Sequence, residues 1–205
     1  MTKRSKTVLA AIALLAGAQV RAEDISPGYV GANWGVRSNY SIGCTPGEDC
    51  SYDSNRGGKV YAGYTLDSRT TLGDHKVTDA VELSAFWING KYITDSAGIF
   101  RDRPKTQGLA LTFAPQMELG SGLSLNSRVG VAYSRTRFDQ HTTGYPDTQS
   151  NTFERVGFTA GLGLSYAVNR NWSLRMDYDR IPVKYSSPAG NGQINMWSVG
   201  AAYHF

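Results

Sequence analysis

Apolar and polar residues alternate with a period of two through most of this chain beyond residue 28, and eight such stretches can be marked. A period of two puts successive side chains on opposite faces of a β-strand. The last stretch is the clearest: Trp197, Val199, Ala201, Tyr203 and Phe205 share one face, and Met196, Ser198, Gly200, Ala202 and His204 share the other. The first runs from about Tyr29 to Arg37 and puts Val30, Ala32, Trp34 and Val36 together. The second, Gly58 to Leu66, aligns Val60, Ala62, Tyr64 and Leu66. The third sets Val81, Leu83, Ala85 and Trp87 against Glu82, Ser84 and Phe86. The fourth, Leu109 to Leu119, contains Pro115, which removes one ladder donor. The fifth runs from Leu123 to Tyr133 and the sixth from Val156 to Val168. The seventh, from Trp172 to Tyr178, faces Ser173, Arg175, Asp177 and Asp179 the other way.

The connections differ in a regular way. The first, third, fifth and seventh are long and polar, around 38–56, 89–106, 139–152 and 182–192; the fourth (Gly120-Ser-Gly122) and sixth (Asn169-Arg-Asn171) are short turns. The second, Asp67 to Thr78, is the exception at about a dozen residues. In an antiparallel meander odd and even connections lie at opposite ends, and short turns at one end with long loops at the other is the asymmetry of an outer-membrane barrel. The faces agree. A soluble sandwich packs its apolar face inward and shows a charged face to water, whereas here the non-apolar faces are mostly Gly, Ala, Ser, Thr and Asn. Trp34, Tyr64, Trp87, Tyr133, Tyr166, Trp172, Tyr178, Trp197, Tyr203 and Phe205 fall near stretch ends on the apolar face, as interface girdles do. The pattern predicts an all-β fold: an eight-stranded antiparallel up-and-down transmembrane β-barrel.

Composition changes the picture at the amino terminus. Lys3, Arg4 and Lys6 precede a short apolar run from Val8 to Ala18, and Val20-Arg-Ala22 has the small residues of a cleavage site before Glu23. The run is too short to span a bilayer as a helix. Residues 1–22 are therefore expected to be a signal peptide and 23–205 the barrel domain. Four of the 21 Lys and Arg lie in that leader (Lys3, Arg4, Lys6, Arg21) and none of the 17 Asp and Glu, so the mature chain has 17 of each. The net charge of +4 belongs to the leader, and it gives no footprint for nucleic acid. In an exported chain Cys44 and Cys50, flanking Thr-Pro-Gly-Glu-Asp, are expected to form a loop disulfide. They lack the His partners of a metal site and the spacing of a Cys-x-x-Cys redox pair.

Several of these segments carry a resemblance. Tyr29-Val-Gly-Ala-Asn-Trp-Gly, Gly63-Tyr64, Val81-Glu-Leu83 and Arg175-Met-Asp-Tyr178 are similar, in order, to the first, second, third and seventh strands of the OmpA/OmpX-type small outer-membrane barrels. Ser198, Gly200, Tyr203 and Phe205 resemble that family's carboxy-terminal assembly signal, which implies that the outer-membrane insertion machinery reads this strand. The resemblance covers nearly the whole mature chain and implies residence in the outer membrane of a Gram-negative bacterium. Because the chain ends at Phe205, the peptidoglycan-binding domain of two-domain members is not carried over.

Parity places Glu82, Arg128, Arg175 and Asp177 inside, where an unpaired charge is costly; they are expected to form lumen ion pairs, and the resemblance specifically implies Glu82 with Arg175. An eight-stranded barrel is just wide enough for side chains to fill, which argues against a broad pore. A lipid-A-modifying hydrolase on the same scaffold would need a nucleophile with a base in reach near the outer edge. Of His75, His141 and His204, only His141 falls in an external loop, beside Asp139. No phosphate loop, metal cluster or G-x-S-x-G elbow occurs. The expectation is a non-enzymatic monomer without cofactor, in contact with membrane lipid and lipopolysaccharide. Its role would be in envelope integrity or in surface interaction with a host or phage ligand through its external loops. A lipid-A hydrolase and a narrow solute channel are the rivals.

Overall fold

The computed structural model describes residues 27–41, 51–54, 56–90, 93–94, 100–142, 149–186 and 190–205. The proposed leader and both cysteines, Cys44 and Cys50, lie outside them. Among the described residues there are eleven strands and no helix: β1 (Gly28–Ser41), β2 (Ser51–Ser54), β3 (Arg56–Leu72), β4 (His75–Asn89), β5 (Ile93–Thr94), β6 (Phe100–Phe113), β7 (Gln116–Gly120), β8 (Leu123–Thr142), β9 (Gln149–Ala167), β10 (Trp172–Ser186) and β11 (Gly190–His204). All pairings are antiparallel. They run β1–β3–β4–β6–β8–β9–β10–β11 and return to β1, so eight strands form a ring. The closing contact joins the two ends of the chain, with Tyr29 opposite His204 and Trp34 opposite Val199.

Three sequence expectations change in detail. The second connection is not a dozen residues: β3 and β4 continue as a ladder from Arg69↔Thr78 to Leu72↔His75, and only Gly73–Asp74 form the turn. Gly73 has φ +63, open to glycine at no steric cost. This part of the hairpin is polar because it lies beyond the apolar band, so hydrophobic alternation could not reveal it. The even connections are thus all short. Pro115 splits the fourth stretch into β6 and β7; the ladder to β4 breaks there, and Pro115 O instead accepts Ser127 N at 3.0 Å. The third, fifth and seventh connections are shorter than expected, since β6 begins at Phe100, β8 runs to Thr142, β9 starts at Gln149 and β10 continues to Ser186.

The apolar faces point outward. Trp34, Leu83, Leu109, Val131, Leu162, Leu174 and Val199 are all exposed large hydrophobics, and the buried face carries Asn33, Lys59, Glu82, Asn126, Arg128, Asp177 and Ser198. That inversion suits lipid outside and a narrow packed lumen inside. Space in the lumen is set partly by glycine. Tyr29 lies opposite Gly63 and Tyr61 opposite Gly31 on the β1–β3 pair. A Cβ at Gly63 would come within 2.0 Å of the Tyr29 ring, and one at Gly31 within 2.3 Å of the Tyr61 ring. Each tyrosine therefore lies over the glycine of the facing strand.

Candidate functional site

Along its axis the interior consists of three layers. At the turn end is a cavity of about 180 Å³ whose lining includes Tyr29, Ser124, Asn126, Ser173, Arg175 and His204. Next comes a layer of charge. Beyond it, toward the long-loop end, Phe86, Ile88, Ile181, Val183, Ile194 and Met196 form a buried apolar cluster with Phe138 packed on it.

The charge layer holds three cations and three carboxylates. Arg175 Nη1 meets Glu82 Oε2 at 2.8 Å, and its Nε lies 3.1 Å from Asp177 Oδ2. Arg128 uses Nη1 on Asp177 Oδ1 at 2.9 Å and Nη2 on Asp179 Oδ1 at 2.8 Å. Lys59 Nζ lies 2.9 Å from Asp177 and 2.6 Å from Asp179. Asp177 is the hub: it faces all three cations and also accepts Asn33 Nδ2 at 2.8 Å. Tyr29 donates its hydroxyl to Glu82 at 3.1 Å, and the Tyr61 ring lies 4.4 Å from the Arg175 guanidinium. Formal charges cancel, so the low-dielectric interior carries no net charge, and each carboxylate meets at least one cation.

Glu82, Arg128, Arg175 and Asp177 thus lie in one network contributed by β4, β8 and β10. Lys59 and Asp179 belong to it as well. Asp179 follows the inward parity of β10. Lys59 shares its face with Tyr61 opposite the apolar Val60 and Ala62, so the same alternation points to it. It is buried although lysine side chains are mostly exposed.

No acid–base constellation assembles at the outer rim among the described residues. His75 lies at the β3–β4 turn with Nδ1 3.0 Å from Glu118 O. His204 Nε2 is 3.1 Å from Ser173 Oγ in the turn-end cavity, and its ring packs on Tyr29 at 5.5 Å, so the Ser–His pair there has an aromatic ring rather than a carboxylate against the imidazole. His141 is on β8, opposite Arg101. At the rim Asp139 accepts Lys105 Nζ at 2.6 Å and Arg137 Nε at 2.8 Å, and Arg135 lies 3.7 Å from Glu154. The Lys105 hydrogen bond, helped by Arg137, holds the Asp139 carboxyl below the usual carboxylate range.

On the closing strand Ser198 is fully buried, and a Cβ at Gly200 would come within 2.0 Å of Ala32 O on β1. Tyr203 stacks edge-on between Trp172 at 5.2 Å and Phe205 at 5.6 Å. Phe205 N donates to Gly28 O at 3.2 Å, so this strand end is held to the first strand.

Residues 7–205 match the family model of the outer membrane protein beta-barrel domain. No curated protein matches the sequence. Among solved structures the chain is similar in fold to Neisserial surface protein A (NspA), with a TM-score of 0.56, 17% identity, and 89% of this chain and 100% of that one covered. It is similar also to Ail, the attachment invasion locus protein of Yersinia pestis (TM-score 0.51, 14% identity, 89% and 100% covered). A third is a major outer membrane protein from Thermus thermophilus (TM-score 0.53, 13% identity, 86% and 99% covered).

Proposed function

The chain belongs to the outer membrane protein beta-barrel domain family, and from that premise we propose that it is a non-enzymatic barrel serving envelope integrity or surface interaction through its extracellular hairpins. The observation that carries this reading is the filled lumen. A neutral layer of six charged side chains is followed by a buried apolar cluster, while β6, β8 and β9 continue past the apolar band to a polar rim. A barrel closed inside offers its outer end as its working surface. Ail, a protein of similar fold, carries attachment in its own name.

The proposal includes an export leader at residues 1–22 and a disulfide between Cys44 and Cys50 in the first external loop. Lipid and lipopolysaccharide surround the wall, and a host or phage ligand meets the hairpins of a monomer. The test compares intact protein with versions trimmed within 42–50, 95–99 and 143–148. Cells making each version are screened for adhesion and for sensitivity to detergent. Loss of either property on trimming, with the barrel still inserted, supports the reading. Full retention of both in every trimmed version overturns it. The mass of the purified chain checks the rest: it should begin at Glu23 and be lighter by two hydrogen atoms for the disulfide.

A further inference from the structure

The barrel wall is not laddered throughout. Strand β9 pairs with β8 along 18 residue pairs, from Leu123↔Tyr166 to Gln140↔Gln149, and β10 pairs with β11 as far as Ser186↔Gly190. Between β9 and β10 the ladder has eight pairs and stops at Arg180↔Ala160. Beyond that point β10, still paired with β11, parts from β9 and turns inward. Ile181, Pro182 and Val183 are buried in succession, which breaks the alternation of the rest of the strand. Pro182 has no N–H to give a ladder. It packs on Gly157 of β9, where a Cβ would lie 3.0 Å from the Pro182 ring, and its carbonyl accepts Ser134 Oγ from β8 at 2.6 Å.

Side chains take the place of the missing ladder. Thr159 Oγ1 donates to Arg180 O at 2.8 Å, and Arg155 Nη1 donates to Val183 O at 3.0 Å and to Gly192 O at 3.1 Å. The outward face of β9 nevertheless stays apolar above the break: Val156 and Phe158 are each 70% exposed. A spanning strand needs roughly 9–11 residues, so the eight-pair ladder ends inside the apolar band, in its extracellular half. An open sheet edge facing hydrocarbon leaves backbone groups without partners. The opening holds a slot of about 270 Å³, with Arg155, Phe158, Ala160, Arg180, Pro182 and Gln193 among its lining residues. It combines apolar walls with two guanidiniums, and no carboxylate lines it.

We propose that this slot binds an acyl lipid of the outer leaflet whose headgroup is a phosphate monoester, its phosphate between Arg155 and Arg180 and its chain along Phe158 and Ala160. Guanidinium forks match phosphate oxygens in pairs. Arg155 commits Nη1 to the two carbonyls and Arg180 commits Nε to Gln193 Oε1, so each fork keeps further donors for an anion. The source is the bilayer, because the slot opens between outward-facing side chains. The site goes beyond the surface role proposed above and does not rest on it: its lining residues lie on strands, outside the segments trimmed in that test.

The full chain, folded in an uncharged maltoside detergent, is titrated with dipalmitoyl phosphatidate, dipalmitoyl phosphatidylcholine or inorganic phosphate, and adducts are counted by native mass spectrometry. The expected result is one saturable phosphatidate per barrel, with at least tenfold weaker binding in Arg155→Ala/Arg180→Ala and in Phe158→Glu. Phosphatidylcholine and inorganic phosphate should give no saturable adduct. If the double variant loses its folded, heat-shifted gel mobility, Arg180→Ala alone decides, because its side chain is exposed and outside the lumen. No saturable adduct, equal adducts for the two lipids, binding of inorganic phosphate alone, or unchanged affinity in the folded variants would overturn the proposal.

Discussion

Arg175 Nη1 and Glu82 Oε2 meet at 2.8 Å across the lumen, from β10 and β4, two strands that share no ladder. The bond ties opposite walls together, and Tyr29 reaches the same carboxylate oxygen from β1. Three walls therefore converge on one buried group. A carboxylate so placed acts as a cross-brace between the walls.

Removing one end of that brace should cost more than removing both. Glu82→Ala leaves Arg175 buried with Asp177 as its sole remaining carboxylate, and breaking a buried pair from one side typically costs about 3–5 kcal/mol. The double variant Glu82→Gln/Arg175→Gln keeps hydrogen-bonding groups and removes both charges, so it should recover part of that loss. Urea midpoints of the folded-to-unfolded gel shift in detergent measure the difference. A double variant less stable than Glu82→Ala would contradict the brace.

The same layer bears on conduction. In planar bilayers the parent should show no steps above background, and neither should Glu82→Ala or Arg175→Ala. Above the charges Ile88, Val183, Ile194 and Met196 are fully buried, leaving a second seal that those substitutions do not touch. Steps of regular size in either variant would mean that the charge layer alone closes the barrel.

Much of this was legible from alternation. Trp197, Val199 and Tyr203 on one parity and Ser198 and Gly200 on the other are enough to orient the last strand, and the inward carboxylates and arginines follow from the same parity. Lys59 is equally readable by position, and only its residue type points toward solvent. Two features left no periodic trace. The β3–β4 hairpin continues beyond the membrane band, where both faces meet water and nothing selects an apolar side. At Ile181-Pro182-Val183 the strand turns into the lumen, so three consecutive side chains are buried and the period of two ends. A proline in a strand announces a break, but not the direction in which the strand will go.

Substituting Gly63 should loosen the brace without touching a charge. A Cβ there would meet the Tyr29 ring at 2.0 Å, so Gly63→Ala must move the ring off the glycine and away from Glu82. Overpacking of this kind typically costs about 1–3 kcal/mol. Combining it with Tyr29→Ala should relieve the clash. If Gly63→Ala is as destabilising in the Tyr29→Ala background as in the parent, the ring is not what it strikes.

The rim should respond to acid. Asp139 has its carboxyl held below the usual range, chiefly by the Lys105 hydrogen bond and then by Arg137. A depressed folded-state value means that its contribution is fully present above the unfolded value of about 3.9 and is lost as pH falls through the lower folded value. Exposed pairs of this sort contribute about 0.2–1 kcal/mol, so the effect is small. The difference in unfolding midpoint between parent and Asp139→Asn should be constant at neutral pH and shrink only below about pH 4. A difference that instead shrinks between pH 5 and 7 would point to another group.

The carboxy terminus offers the last test. Phe205 closes a run of three stacked rings, Trp172, Tyr203 and Phe205, at the turn end, and its N–H reaches Gly28 O, where the first strand begins. Deleting this one residue removes an aromatic from the membrane boundary and a bond from the seam between β1 and β11 that closes the ring. Residues 143–148 and 187–189 lie outside both seam strands in the sequence. Deletion of Phe205 should therefore lower the amount of folded barrel in outer-membrane fractions, read by heat-shifted gel mobility, more than removal of either segment. Levels equal to the parent would show that closure is directed from elsewhere in the chain.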